Sequence, residues 1–261
     1  MNEAAYYGLP GEFVHLAGPH TEADPAALLF QFLAALGTCI GRGPHFRVGA
    51  DRHYTNLFMV LVGNSSKARK GTSWGEVRRL LTFTDIEFTK TRISSGLTSG
   101  EGLIDAVRDE IRENVPIKEK GRVIDYEEQV MDAGEKDKRL LCVEGEFAQT
   151  LHNSTREGST LSPVIRQAWD GSMLRVMAKK AKAACAEPHI SIIGHITNTE
   201  LQLLLSKSDA QNGFANRFLW VGTTRSKCLP FGGNDYEDEL RLYCDRLREA
   251  VAFARTVDEV A

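Results

Sequence analysis

The chain has 261 residues, 42% of them hydrophobic and 26% charged, with 23 glycines and 8 prolines. That much apolar surface offsets the entropy of ordering a core, which excludes collagen-like, low-complexity and wholly disordered chains. With 32 basic and 35 acidic side chains the net charge is -3, so any nucleic-acid contact has to come from a local basic patch.

The length suits one large domain or two small ones. Cysteines 39, 142, 185, 228 and 244 form no CxxC pair and read as reduced thiols. The start, MNEAAYYGLPGEF, lacks the basic and apolar regions of a secretory signal. The most apolar stretch, Ala26 to Ile40, is too short to span a bilayer and contains Gln31. A soluble, cytoplasmic protein with no membrane partner is expected.

In chain order, Asp24-Pro25 is an N-cap followed by proline at the first helical position, and the helix runs to Gly41. Residues 46–51 are expected as a strand, and the apolar run 56–63 as an interior strand covered on both faces. A polar loop, NSSKARKG, leads into the helical spacing of TSWGEVRRLLTF. Residues 92–96 read as a short strand and 99–114 as an amphipathic helix. The charged segment 115–138 reads as an exposed excursion, with a hairpin around Asp132 to Asp137. Further strands are expected at 139–144, 189–197 and 216–222, and helices at 147–155, 159–170, 198–206 and 235–254. Strands alternating with helices predict an α/β fold with a mostly parallel sheet flanked by helices.

Five groups carry chemistry. The first is Gly63 through Ser73. A buried strand runs into a Gly/Ser/Lys loop, with Ser65 and Ser66, and then into a helix opened by Thr72 and Ser73. That layout aims backbone N–H groups and a helix dipole at a phosphate chain. Lys70 would neutralise phosphate oxygens and the Thr72 hydroxyl would hold Mg2+. The spacing departs from GxxxxGK[ST], because Lys70 is seven residues after Gly63 and Gly71 separates it from Thr72. A basic surface loop capping a helix is an equal reading.

Second, a buried run ends in Glu144, with Glu146 two positions on. In extended chain both carboxylates would face one site at the sheet's C-terminal edge, one at a metal-bound water and one at the attacking water. Acids at a helix start explain them as well. Third, Thr197 and Asn198 follow a strand, as a γ-phosphate sensor or as a helix cap, and His195 within that strand reads as a core histidine. Fourth, Arg217 at a strand start would act as an arginine finger or make a salt bridge, with Arg225 and Lys227 as second candidates. Fifth, Glu101 after the 92–96 strand is either a water-activating acid or a first-turn acid behind Ser99.

Together these segments resemble DUF3987, a family of RecA-like P-loop ATPases in bacterial, phage and plasmid replication proteins, often joined to primase–polymerase modules. The resemblance is carried by ADPAALLFQFLAALG, FRVGADRHYTNLFMVLVG, SSKARKGTSW, SSGLTSGEGLI, RLLCVEGEF, LSPVIRQAWDG, HISIIGHIT and NGFANRFLWV, over residues 4 to 232. It implies a lead-in segment over 1–55, a RecA-like P-loop NTPase core over 56–234 and a C-terminal helix over 235–261. It implies that Gly63, Lys70, Gly71, Thr72 and Ser73 bind ATP, that Glu144 is the metal-side acid and Glu146 or Glu101 the catalytic glutamate. Asn198 would be the sensor and Arg217 the finger. The segment Asp125 to Asp137 is more acidic than the resemblance leads one to expect.

The function expected is a Mg2+-dependent ATP-hydrolysing motor domain of a helicase- or primase-associated DNA replication protein. By analogy it would work as a homo-oligomer such as a hexameric ring. Single-stranded DNA would be met by Arg175, Lys179, Lys180 and Lys182, a segment that reads equally as a solvated turn. A nucleotide-binding scaffold without turnover and a metal-dependent phosphodiesterase or nuclease built on Glu144 and Glu146 are the alternatives.

Overall fold

The computed structural model describes residues 1–64, 68–177, 182–205 and 213–260. Helices α1 (Gly8–Ala17) and α2 (Pro25–Ile40) lead into a hairpin of β1 (His45–Val48) and β2 (Asp51–Tyr54). Strand β3 (Phe58–Val62) is followed by α3 (Lys70–Thr84), α4 (Ile86–Thr91), β4 (Ile93–Ser94) and α5 (Gly100–Asp105). A second hairpin pairs β5 (Ile111–Glu119) with β6 (Arg122–Asp132). Strand β7 (Arg139–Glu144) precedes α6 (Phe147–Thr155), α7 (Leu161–Trp169) and the two-residue strands β8 (Leu174–Arg175) and β9 (Ala184–Cys185). Then come β10 (His189–Ile196), α8 (Asn198–Leu204), β11 (Leu219–Gly222), α9 (Glu237–Ala254) and β12 (Glu259–Val260).

Five strands form one parallel sheet in the order β11-β3-β10-β7-β4. Every residue of β3 and β10 is buried, which is why β3 reads as an unbroken apolar run, while β10 also carries the buried polar residues His189, Ser191 and His195. One face of the sheet (Met59, Leu61, Leu141, Ile193, Val221) packs against α1, α2, α3 and α9. The other (Phe58, Val60, Val62, Leu140, Ile190, Ile192, Ile196) packs against α5, α6 and α7, with Leu201 and Leu204 of α8 at its border. The chain leaving β3 therefore turns to one face, and the chains leaving β4, β7 and β10 turn to the other. Between the neighbours β3 and β10 the connections part, and open α/β sheets form their ligand crevice at such a switch point, beyond the strands' C-terminal ends.

Asp24 Oδ1 accepts from the Ala26 amide at 2.9 Å and Pro25 stands at the first helical position, as expected. Three local expectations are corrected. Residues 46–51 are not one strand, because Gly49, with φ of 61°, turns the chain between β1 and β2. The helix expected over 99–114 stops at Asp105. Leu103, Ile104 and Val107 are buried at helical spacing, but Arg108 then donates to both oxygens of Asp132, at 2.7 and 3.0 Å, and redirects the chain into β5. The hairpin turn lies at Lys120-Gly121, not at Asp132 to Asp137. Both turn residues have positive φ (50° and 81°), as a two-residue turn matching strand twist requires. Asp132 instead closes the base of the hairpin.

Among the described residues no helix is long and apolar enough to cross a membrane.

Gly194 of β10 pairs with Glu144 and lies under Phe147, the first residue of α6. A Cβ there would sit 2.6 to 2.7 Å from the Phe147 ring, a ring that is itself fully buried. Gly194→Ala is expected to lower unfolding stability by about 1–3 kcal/mol in chemical denaturation, and Phe147→Leu in the same chain to recover part of that loss.

Candidate functional site

The loop from β3 to α3 lies at the switch point. Gly63 is wedged between the neighbouring strands, its N–H donating to Ile196 O at 3.2 Å. A Cβ there would meet Thr223 O at 2.6 Å and Ala68 Cβ at 2.7 Å, so no larger residue fits. Arg69 takes the N-cap of α3 in the left-handed region, φ 52°, and its side chain does not cap the helix. The amides of Lys70, Gly71 and Thr72 open the first turn, where the helix supplies no acceptor. Lys70 Nζ donates to Gly63 O at 2.8 Å and to Asn64 O at 3.4 Å. Burial depresses the Lys70 pKa, and attraction to Glu200 and Glu146 opposes that shift.

Asn64, Arg69, Lys70, Gly71, Thr72, Gly145 and His195 line a cleft of about 340 Å³. These groups fit a phosphate chain: amides at the positive end of a 15-residue helix, where the helix itself supplies no acceptor, beside an ammonium whose bonds among the described residues go to carbonyls that phosphate oxygens can replace.

Ser73 faces inward. Its hydroxyl donates to Lys70 O at 2.7 Å and accepts from Gln31 Nε2 at 2.6 Å. Gln31 Nε2 also donates to Ala27 O at 3.1 Å, and its Oε1 is 3.0 Å from His195 Nε2. An amide carbonyl only accepts, so His195 carries its proton on Nε2. Sequence reading missed Gln31 as a site residue; the signal was there, a lone amide in an otherwise apolar helix. It also missed Glu22, whose carboxylate accepts from Arg69 Nε at 2.5 Å and the Leu229 amide at 2.8 Å, with Arg225 Nε at 3.7 Å.

The two strand-end glutamates are held differently. Strand β7 ends at Glu144, so the two-residue alternation does not carry through Gly145 to Glu146. Buried Glu144 is turned toward the loop after β4, where Oε1 accepts from the Gly96 and Leu97 amides at 2.7 and 3.1 Å. Glu146 is exposed at the N-cap of α6, close enough to Lys70 for charge attraction. Glu101 accepts from the Thr160 hydroxyl at 2.7 Å, on the α5–α7 side, and does not line the cleft. Asn198 Nδ2 donates to Asn64 Oδ1 at 3.3 Å, so it does meet the loop. Thr197 caps α8 in a reciprocal capping box with Glu200.

Arg217 is not in a strand but in a 3-10 turn ahead of β11, at the sheet edge opposite the cleft. It donates to Gly213 O at 3.1 Å, reaches Asp170 at 3.5 Å and lies over Trp169. Arg225, beyond the far end of β11, is on the cleft side. Arg175 is exposed on β8 and Lys182 is paired with Glu113, whereas Lys179, Lys180, Ser65 and Ser66 lie outside the described residues.

The expected Mg2+ pair is Thr72, exposed at the cleft, and Glu144, which keeps only Oε2 free of backbone donors. Among the described residues no three His, Cys, Asp or Glu side chains gather as a metal-ligating group. Thr72 lines the cleft and Glu144 does not, so of the pair Thr72 is the oxygen that a largely hydrated Mg2+ ion at the cleft would meet directly.

Compared with known protein families and with curated proteins, the chain matches none.

Burial pushes His189 and His195 each down to about 4; at His195 the Lys70 charge adds to the effect, and at His189 the bond to Gly37 O opposes it. Unfolded histidine titrates near 6.5, so between that pH and about 4 the unfolded chain binds more protons. Stability is therefore full above about pH 6.5 and falls as the pH drops toward 4. Melting temperature measured across that window should decline, and a His189→Gln, His195→Gln double variant should show a flatter slope whatever its absolute stability.

Proposed function

We propose that the chain is a Mg2+-dependent ATPase of RecA-like P-loop type, the motor domain of a helicase- or primase-associated replication protein. One observation carries the reading: an uncapped helix N-terminus with Lys70 beside it, at the point where the β3 and β10 connections part.

The triphosphate lies across the first turn of α3. Its oxygens take the amides of Lys70, Gly71 and Thr72 and draw Lys70 Nζ off the Gly63 and Asn64 carbonyls. Thr72 directly, and Glu144 through a metal-bound water, would hold Mg2+, which would supply charge neutralisation at the phosphate oxygens. Glu146, exposed and near Lys70, orients the attacking water and takes its proton. Asn198, bonded to Asn64, reports the state of the loop to α8. Arg217 belongs to the opposite edge and acts only in a neighbouring subunit of a ring. Arg175, exposed on β8, is the described part of the single-stranded DNA contact.

A second reading, nucleotide binding without turnover, is favoured by the two backbone donors already on Glu144 Oε1. Calorimetric ATP binding and phosphate release, measured with and without single-stranded DNA, separate the two. Lys70→Ala should weaken ATP binding roughly 10- to 100-fold, the worth of a charge-assisted contact. Glu146→Gln should keep ATP affinity within a few-fold and cut turnover on the order of 100-fold or more. Undiminished binding in Lys70→Ala removes the site assignment; tight binding with no phosphate release in the wild type selects the scaffold.

A further inference from the structure

Phe231 is the most exposed large apolar side chain among the described residues, its ring entirely in solvent. A single exposed apolar residue is ordinary when its loop is loose. This one is held. Gly232 N–H donates to Leu229 O at 3.0 Å, closing a turn with Pro230 and Phe231 at its centre. Pro230 has its φ fixed by its ring, and Gly232 takes φ 78°, a conformation that favours glycine.

Both ends of the turn are tied to the start of α3. On one side the Leu229 amide and the Arg69 guanidinium share the Glu22 carboxylate, at 2.8 and 2.5 Å. On the other, Gly233 presses on the His20 backbone so closely that a Cβ would lie 2.0 Å from His20 O. His20 stacks on Tyr236 at 4.6 Å, and the Tyr236 hydroxyl bonds Glu76 of α3. The bare ring is therefore carried beside the first two turns of the helix whose N-terminus forms the cleft.

The side matters too. Gly145 and Glu146 follow β7, on the β10 side of β3. The Phe231 turn follows β11, which pairs with β3 on its other side. A nucleoside triphosphate laid across α3 with its terminal phosphate toward Glu146 has its nucleoside end on the β11 side, where Arg69, Arg225 and Phe231 lie.

We infer that Phe231 is the platform on which the base of the bound nucleotide stacks, an inference that rests on the phosphate-site reading above. An aromatic face accepts any base, so the platform contributes affinity for a nucleoside and does not choose adenine over guanine.

The test compares ATP, GTP and inorganic tripolyphosphate, each with Mg2+, by calorimetry on the wild type, Phe231→Ala and Phe231→Trp. Phe231→Ala should bind ATP and GTP roughly 5- to 100-fold more weakly, the range measured for one base–aromatic stack, and tripolyphosphate as the wild type does. Phe231→Trp should keep nucleotide affinity. Unchanged ATP affinity in Phe231→Ala, or an equal loss for ATP and tripolyphosphate, overturns the platform while leaving the phosphate site standing. A wild type that binds neither ATP nor tripolyphosphate overturns the phosphate site and the platform with it. Because the ring is exposed, melting temperatures of the three proteins should agree; a lowered value in Phe231→Ala would assign the ring to folding and also overturn the inference.

Discussion

Gln31 lies fully buried in α2, its amide on the Ser73 hydroxyl and its carbonyl facing His195, so one side chain joins α2, α3 and β10. Each partner depends on the others. Removing Gln31 would leave the buried His195 Nε2–H without this acceptor, at a cost of about 1–3 kcal/mol, while the Ser73 hydroxyl kept its bond to Lys70 O. Ser73 passes the constraint on to Lys70 O, the first carbonyl of α3. The angle at which α3 presents its free amides is thus set from below, by a polar chain inside an otherwise apolar layer. This explains how an N-terminus without a cap stays ordered: the order comes from the buried side of the first turn, and the cleft side is left open.

The acids around the cleft do related work. Among the described residues, Glu22 stands near Arg69 and Arg225, and Glu146 and Glu200 near Lys70. The Leu229 amide, then the two arginines, hold the Glu22 carboxyl below its usual range, so it stays charged and keeps both guanidiniums in place. Among these described groups charge is close to balanced, in keeping with a chain of net charge -3. A polyanion approaching this cleft would meet oriented donors more than excess positive charge.

Elements whose signal is local were legible in the sequence. Strand β3 showed itself as a continuous apolar run and β10 as a mainly apolar one because helices cover both faces, and α2 because Asp24 and Pro25 set its start. The strand–loop–helix order around Gly63 and Lys70 was also local, although its spacing is irregular. What escaped depends on partners distant in sequence. The end of α5 is decided by the Arg108–Asp132 pair, 24 positions apart, and Leu103, Ile104 and Val107 fit a longer helix equally well. Glu144 is turned by amides 48 and 47 positions earlier, which no alternation rule contains. Arg69 and Glu22, 47 apart, meet only because α2 and α3 share one face of the sheet.

The two walls of the cleft differ in how they are held. The α3 wall is tied to α2 and β10 through Gln31 and to the β11 side through Glu22. Among the described residues no hydrogen bond joins Gly145 or Glu146 to α3; only charge attraction connects Glu146 with Lys70. Glu144, one residue before that opposite wall, is fastened outward to the loop after β4. Distance across the cleft is therefore governed by the approach of β7's end, while the orientation of Lys70 and the amides is governed by the relay beneath them. Drawing the walls together brings a second negative charge toward any bound anion. That approach costs free energy unless a cation lies between them.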